Sequence, residues 1–308
     1  MSTNKYKNVF YRLSGIAALA SALIMSCTTS SFAREDDNLL AVKEDCAASR
    51  YNVLVLEHNP PFSWVQQVDI SGTTKAHGIG VYILEELLSE ANIPKKYIVM
   101  KATETRDDLE FQTWRKPVDT AVGIQYYPGL SSDIQDNFLH PAYMSNPIVA
   151  VFAKGKDKKY KKPSDLANMT GAYIKSDHID FLFSKEMYLS SVDSVKEAFE
   201  TLLTGKVDYI LMGFYTATME AAKYKITDKL TITEKPLRRV ENFLTLNQNR
   251  ICKVFTDDFN ARIKEISKDK VKMGNLLYRA YQEYEEQTKS YPALNIPEPT
   301  DVDKDDEF

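Results

Sequence analysis

Histidine, cysteine and tryptophan are scarce in this chain of 308 residues, at 4, 3 and 2 copies. The histidines (His58, His77, His140, His178) show no paired spacing on a helix, so a helical zinc-hydrolase signature is excluded. No GxSxG stretch is present, and Cys46 and Cys252 lie in no motif that would activate a thiol, which removes the usual serine and cysteine nucleophiles. The adjacent Tyr126 and Tyr127 are too slight a feature to define a ferric-iron site by themselves. Catalysis is therefore not expected, and nothing calls for a cofactor or a metal.

An excess of positive charge is also missing. Lys and Arg number 39 against 43 Asp and Glu, and they are scattered rather than striped along one face, so nucleic acid is not an expected partner. The apolar run Gly15 to Met25 falls short of the roughly 20 residues a membrane-spanning helix needs, and no later stretch is longer. The hydrophobic content of 44% is ample for burying real cores.

That short apolar run has its own context. Lys5, Lys7 and Arg12 precede it without any acidic residue, and small polar residues ending in Ser31-Phe32-Ala33 follow, the pattern of a secretory signal over residues 1–33. Ile24-Met25-Ser26-Cys27 resembles a lipobox, with acylation at Cys27 as the alternative route, but Met25 fits it poorly and cleavage after Ala33 is favoured. Export would leave Cys46 and Cys252 in an oxidising compartment, where an even count suggests one disulfide; two buried free thiols is the other reading.

Beyond a polar linker (34–49), Tyr51 to Glu57 reads as a buried strand closed by Asn59-Pro60-Pro61. Ile79, Ile83, Leu84, Leu87, Leu88 and Ala91 recur at helical spacing, with Glu85, Glu86 and Glu90 opposite. Strands over Tyr97 to Lys101 and Val118 to Ile124, separated by a helix ending near Trp114, continue an open α/β pattern. Later strands are expected at Ile148 to Phe152, Thr170 to Ile174, Val207 to Met212, Leu230 to Thr233 and Phe243 to Leu246. Helices are expected at Ser194 to Thr204, Phe214 to Tyr224, Thr256 to Ser267 and Val271 to Gln287. Ser194 with Glu197 forms a capping box, and Gly205 suits a left-handed helix end. VDTAVG (118–123) and VDYILMG (207–213) are similar Asp-led strands ending in glycine, an echo expected of paired α/β units. Residues 290–308, rich in proline and then acid, read as a disordered tail with almost nothing to bury.

In this order, several segments resemble the bacterial extracellular solute-binding protein family 3. They are EHNPPFSW (57–64), GIGVYILEELLSEANI (78–93), VDTAVGIQYYPGLSSDI (118–134), HPAYMSNPIVAVFAK (140–154), KKPSDLANMTGAYI (161–174) and DSVKEAFETLLTGKVDYIL (193–211). The resemblance implies a periplasmic binding protein type II fold: α/β, two lobes, each a central mixed β-sheet flanked by helices, joined by two hinge crossings. Lobe one would comprise 50–143 and 242–289, and lobe two 144–241. It further implies a periplasmic monomer that closes on a small-molecule solute and is recognised by an ABC transporter permease.

The departures from the family concern the ligand. The Arg that clamps an α-carboxylate in amino-acid receptors falls at Leu130, and no Lys or Arg occurs from Pro117 to Ala153. The Asp that accepts an α-ammonium falls at Gly213, and the anion loop is replaced by Lys175, Ser176 and Asp177. A standard α-amino acid is therefore not the expected ligand. The matched positions carry His58, Asn59, Phe62 and Trp64; Gln125, Tyr126 and Tyr127; Ser145 at the first crossing; Lys175 and Asp177; and Phe214 and Tyr215. Aromatic faces suit flat, sugar-like or cationic solutes, whereas Lys175 suits an anion, and the alternatives stay open. Bland readings stand beside these: Phe62 and Trp64 as core, Tyr126 and Tyr127 as loop packing, Asp177 as a helix cap, Lys175 as solvated. An accessory or sensor protein on the same fold, or a dehydratase-like enzyme, are the competing classes.

Overall fold

The structure is a computed structural model describing residues 50–67, 74–100, 118–125, 132–177, 179, 183, 187–247 and 253–296. The signal segment with Cys27, the linker, Cys46 and Cys252, the helix ending near Trp114, Tyr126, Tyr127, Leu130 and the acidic end of the chain lie outside the described residues.

β1 (Tyr51–Leu56) is apolar on both faces because it lies inside a sheet, parallel to β5 (Lys95–Met100) on one side and β6 (Thr120–Gln125) on the other. α1 (Ile79–Glu90) buries Ile83, Leu84, Leu87 and Leu88 as its periodicity predicts. β7 (Met144–Ala153) leads away into the second lobe, built on β8 (Thr170–Ile174), β9 (Tyr188–Val192) and β10 (Tyr209–Gly213). β11 (Leu230–Ile232) pairs with β7, and β12 (Arg238–Leu246) returns the chain to the first lobe. The order β5-β1-β6-β12-β7-β10-β8-β9, with β11 off this path, makes a 9-stranded sheet running through both lobes. Its middle is the antiparallel pair β7 and β12, aligned from Arg238 opposite Ile148 to Asn242 opposite Met144; these are the two crossings. β2 (His58–Asn59), β3 (Ser63–Gln67) and β4 (Thr74–His77) form a separate 3-stranded sheet.

Two of these elements exceed their sequence expectations. β7 starts at Met144 rather than Ile148, and β12 starts at Arg238 rather than Phe243. Arg238, Arg239 and Glu241 lack the apolar character that marks a strand, and only the ladder to β7 makes this stretch extended.

The helices of the second lobe are α3 (Val195–Leu203) and α4 (Phe214–Lys223); α2 (Ser132–Gln135) is a single turn in the first lobe. Ser194 caps α3 by accepting from the Glu197 N–H at 3.1 Å. Glu197 reaches back one residue further than a capping box requires, accepting from the Asp193 N–H at 2.9 Å. Gly205 takes the left-handed conformation at the far end, with φ 75°. α5 (Lys253–Lys268) and α6 (Lys270–Thr288) close the first lobe, with Asp269 capping α6. α6 is fastened by its polar residues: Glu283, held within the helix by Arg279 at 2.8 Å, accepts from Tyr82 at 2.7 Å, while Gln287 accepts from Trp64 at 2.8 Å.

Each lobe buries apolar clusters on both faces of the sheet. α1, α5 and α6 cover one face of the first lobe, and Leu54, Ala121, Phe138 and Phe243 pack on the other. Phe199, Leu202, Ile210 and Met212 centre one cluster of the second lobe, and Phe152, Leu166, Tyr209 and Leu211 the other. The internal echo has a structural counterpart. Asp119 at the head of β6 accepts from the Asn52 N–H at 2.8 Å, tying the start of β1. Asp208 at the head of β10 accepts from the Thr170 N–H at 2.7 Å, tying the start of β8. The same device locks adjacent parallel strands in both lobes.

Candidate functional site

α4 is the element that brings the lobes together. Its sequence FYTATMEAAK turns Ala217 and Ala221 into the second lobe's core, while Met219 packs into the first lobe's core with Tyr215 beside it. Between these faces Glu220 points at the boundary and is 0% exposed. A carboxylate buried this completely must be paired. His58 Nε2 lies 2.9 Å from Glu220 Oε1, Lys223 Nζ lies 3.1 Å from Oε2, and the Tyr284 hydroxyl donates to the same carboxylate. Burial would raise the Glu220 pKa, but the hydrogen bond and charge of His58, the charge of Lys223 and the Tyr284 hydrogen bond outweigh it and hold the group below its ordinary value. His58 and Tyr284 belong to the first lobe, so this is a polar lock across the junction. Thr216 adds a second tie, donating to the Pro60 carbonyl at 2.8 Å.

Beside the lock lies a cavity of about 260 Å³. His58 and Asn59 line it from the first lobe; Asp177, Asp193 to Lys196, Thr216, Glu220, Lys223 and Tyr224 line it from the second; Tyr291 closes one side. It falls just under the ~300–1,000 Å³ common for ligand sites, a size suited to a small solute. Asp177 ends a short 3-10 turn after β8, and loss of hydration pushes its carboxyl up to about 7. No hydrogen-bond or ion-pair partner meets it among the described residues.

Of the residues singled out in the sequence, the cavity gathers His58, Asn59 and Asp177. Phe62 and Trp64, at 0% and 2% exposure, are in the first lobe's core, where Trp64 stacks on His77 at 5.5 Å. Tyr215 meets Phe62 edge-on at 6.5 Å, and Phe214 packs against the second lobe's core. Lys175 is exposed and does not line the cavity. Gln125 ends β6 opposite Asn242, and Ser145 lies on β7 opposite Glu241.

The crossings contain a separate set of polar atoms. Among the described residues, Ser145 Oγ, Asn146 Oδ1, both amide atoms of Asn242 and the adjoining Tyr143 hydroxyl are buried without a hydrogen-bond partner, as is Ser63 Oγ on β3. At Gly213 an added Cβ would lie 2.5 Å from Asn146 Nδ2, so a larger residue there would require the Asn146 amide to shift.

Glu220, Lys223, Tyr284 and Tyr291 were not singled out in the sequence. The available signal was the charged pair Glu220 and Lys223, three apart on an otherwise apolar helix.

The expectation of a disordered tail from residue 290 is corrected over its first part. Residues 291–296 run onto the second lobe: Leu294 is 6% exposed within that lobe's core, and its N–H donates to the Tyr224 carbonyl at 3.0 Å. Lys223 Nζ is 4.8 Å from the centroids of both the Tyr224 and Tyr291 rings. One Leu and one Ile repay the ordering because a prepared apolar surface exists beside Tyr224. Leu294→Ala is expected to lower stability by about 2 kcal/mol in urea denaturation, with Asn295→Ala, which is exposed, unchanged.

Among the described residues no helix is long and apolar enough to cross a membrane, and no group of His, Cys, Asp and Glu could hold a metal ion.

No family model and no curated protein matches the chain. Solved structures match it in fold. The chain is similar to the amino acid ABC transporter substrate-binding protein AbpA of Streptococcus pneumoniae bound to L-arginine, at 15% identity, covering 80% of this chain and 98% of that one, with a TM-score of 0.59. The periplasmic VFT2 domain of Bordetella pertussis BvgS matches at 16% identity, 79% and 97% coverage and a TM-score of 0.59. The GluR0 ligand binding core in complex with L-glutamate matches at 15% identity, 79% and 99% coverage and a TM-score of 0.57. The fold is thus the two-lobed periplasmic binding protein type II architecture. The similar structures include substrate-binding proteins of amino acid ABC transporters.

Proposed function

We propose that this chain is an exported periplasmic solute-binding protein that captures a small polar or aromatic solute, other than a standard α-amino acid, for an ABC-type importer and catalyses no reaction. The supporting observation is the cavity at the lobe junction, lined from both sides and carrying a partly buried carboxylate at Asp177 that has no partner among the described residues. The signal-like residues 1–33 support export, and the proposed lobe limits are 50–143 with 242–289, and 144–241. His58, Asn59 and Asp177 are the proposed contacts, and the solute-loaded form is the one a permease would recognise. The missing Arg at Leu130 and the crowded Gly213 argue against an α-amino acid, which needs opposite charges on both sides.

A second reading, an accessory or sensor protein on the same fold, is favoured by one feature. The lobes are already bridged by Glu220, His58 and Tyr284 and by the docked residue Leu294. Thermal-shift screening of the mature chain against a metabolite panel separates the two. A solute present at 100 times its dissociation constant adds about 2.7 kcal/mol of stability. No shift with any solute, together with unchanged small-angle scattering, would leave the accessory reading standing.

A further inference from the structure

We propose that the solute carries a cationic amine and no carboxylate, and that Asp177 receives the cation; this rests on the cavity being the solute site. The charged groups that face the cavity decide the sign. From α4, Glu220 and Lys223 are spent on each other, with His58 on the same carboxylate. From the start of α3, Lys196 is turned to Glu200 at 3.5 Å and is more than half exposed. At the N-terminus of α3, Ser194 accepts the Glu197 N–H, and the Glu197 carboxylate, accepting from the Asp193 N–H, adds its own negative charge at that end of the helix. Lys175, the one residue whose chemistry suggested an anion, lies outside the lining. Asp177, with exposed Asp193 nearby, remains as charge with no partner among the described residues.

The cavity already stabilises one ammonium. Lys223 Nζ is held by the Glu220 carboxylate and stands 4.8 Å from the Tyr224 and Tyr291 rings. A carboxylate with aromatic faces is the environment a desolvated amine needs, and Asp177 offers the carboxylate to a second cation. A cation bound there displaces the proton that burial keeps on Asp177 near neutral pH, so affinity rises with pH.

The test is calorimetric titration of the mature chain with 1,4-diaminobutane, choline and agmatine, beside 1,4-butanediol, succinate and L-glutamate, at pH 6 and pH 8. Binding is expected with the amines alone, about tenfold tighter at pH 8 for a carboxyl titrating near 7, with proton release. Asp177→Asn is expected to weaken it at least 30-fold while leaving the unliganded chain folded, checked by its thermal melt. Binding of the diol or the acids without the amines overturns the charge assignment and leaves solute capture intact. Amine binding unchanged in Asp177→Asn overturns the role of Asp177. No heat with any of the six, and no melting shift in the wider panel, overturns solute capture itself and this inference with it.

Discussion

Glu220→Ala is expected to cost about 3–5 kcal/mol of stability, because it removes the shared partner of a buried polar set rather than one contact. Lys223, 8% exposed, would lose its counter-ion while largely buried, and Tyr284 would lose its acceptor. Replacing Glu220 and Lys223 together by methionine should cost far less, since no uncompensated charge remains. The sign of the pH dependence is set by the lowered Glu220 pKa. A carboxyl held below its unfolded value contributes stability that is complete above about pH 4.5 and is lost as pH falls through the folded value. Urea midpoints at pH 7 and pH 4 check this: wild type should lose more between them than the alanine variant does. Equal losses would mean that Glu220 is not ionised in the folded chain.

Gly78→Ala is the second large effect, expected at about 3–5 kcal/mol from backbone strain and overpacking combined. Gly78 precedes α1 with φ 116°, a conformation other residues rarely adopt. An added Cβ would lie 2.5 Å from the Phe62 carbonyl oxygen, 2.6 Å from its carbon and 2.8 Å from the Ser63 Cα. All are backbone atoms where the β2–β3 connection enters β3, and that connection also hydrogen-bonds the first turn of α1: the Ile79 N–H donates to the Pro61 carbonyl at 2.9 Å and the Gly80 N–H to the Phe62 carbonyl at 3.1 Å. Neither side can yield without losing these bonds. Thermal denaturation or the yield of soluble protein reads the outcome, and a melt within a few degrees of wild type would refute the strain argument.

The two substitutions divide along what was legible in the chain. Gly78 stands at the head of a periodic run of apolar residues, so both the helix and its start could be read directly. Glu220 sits in an equally legible helix, but its value depends on His58 and Tyr284, which are remote in sequence. No local pattern reports such a meeting. The candidate contacts fared unevenly for the same reason. Residues 57–64 were recognisable as one segment, yet only His58 and Asn59 of it line the cavity, because Phe62 and Trp64 face the first lobe's core. β2 to β4 carry few of the apolar runs that mark strands, and the first half of β12 is polar; both became strands by pairing.

By itself, the sequence determined the long helices, the buried strands and their α/β order, because periodic burial is written into neighbouring residues. The tertiary structure decided that a carboxylate is shared between lobes, that residues 291–296 return to the second lobe through Leu294, and that Asp177 stands beside a cavity with no partner among the described residues. Those outcomes depend on desolvation and pairing among residues far apart in the chain, and such energies exist only once the chain has folded.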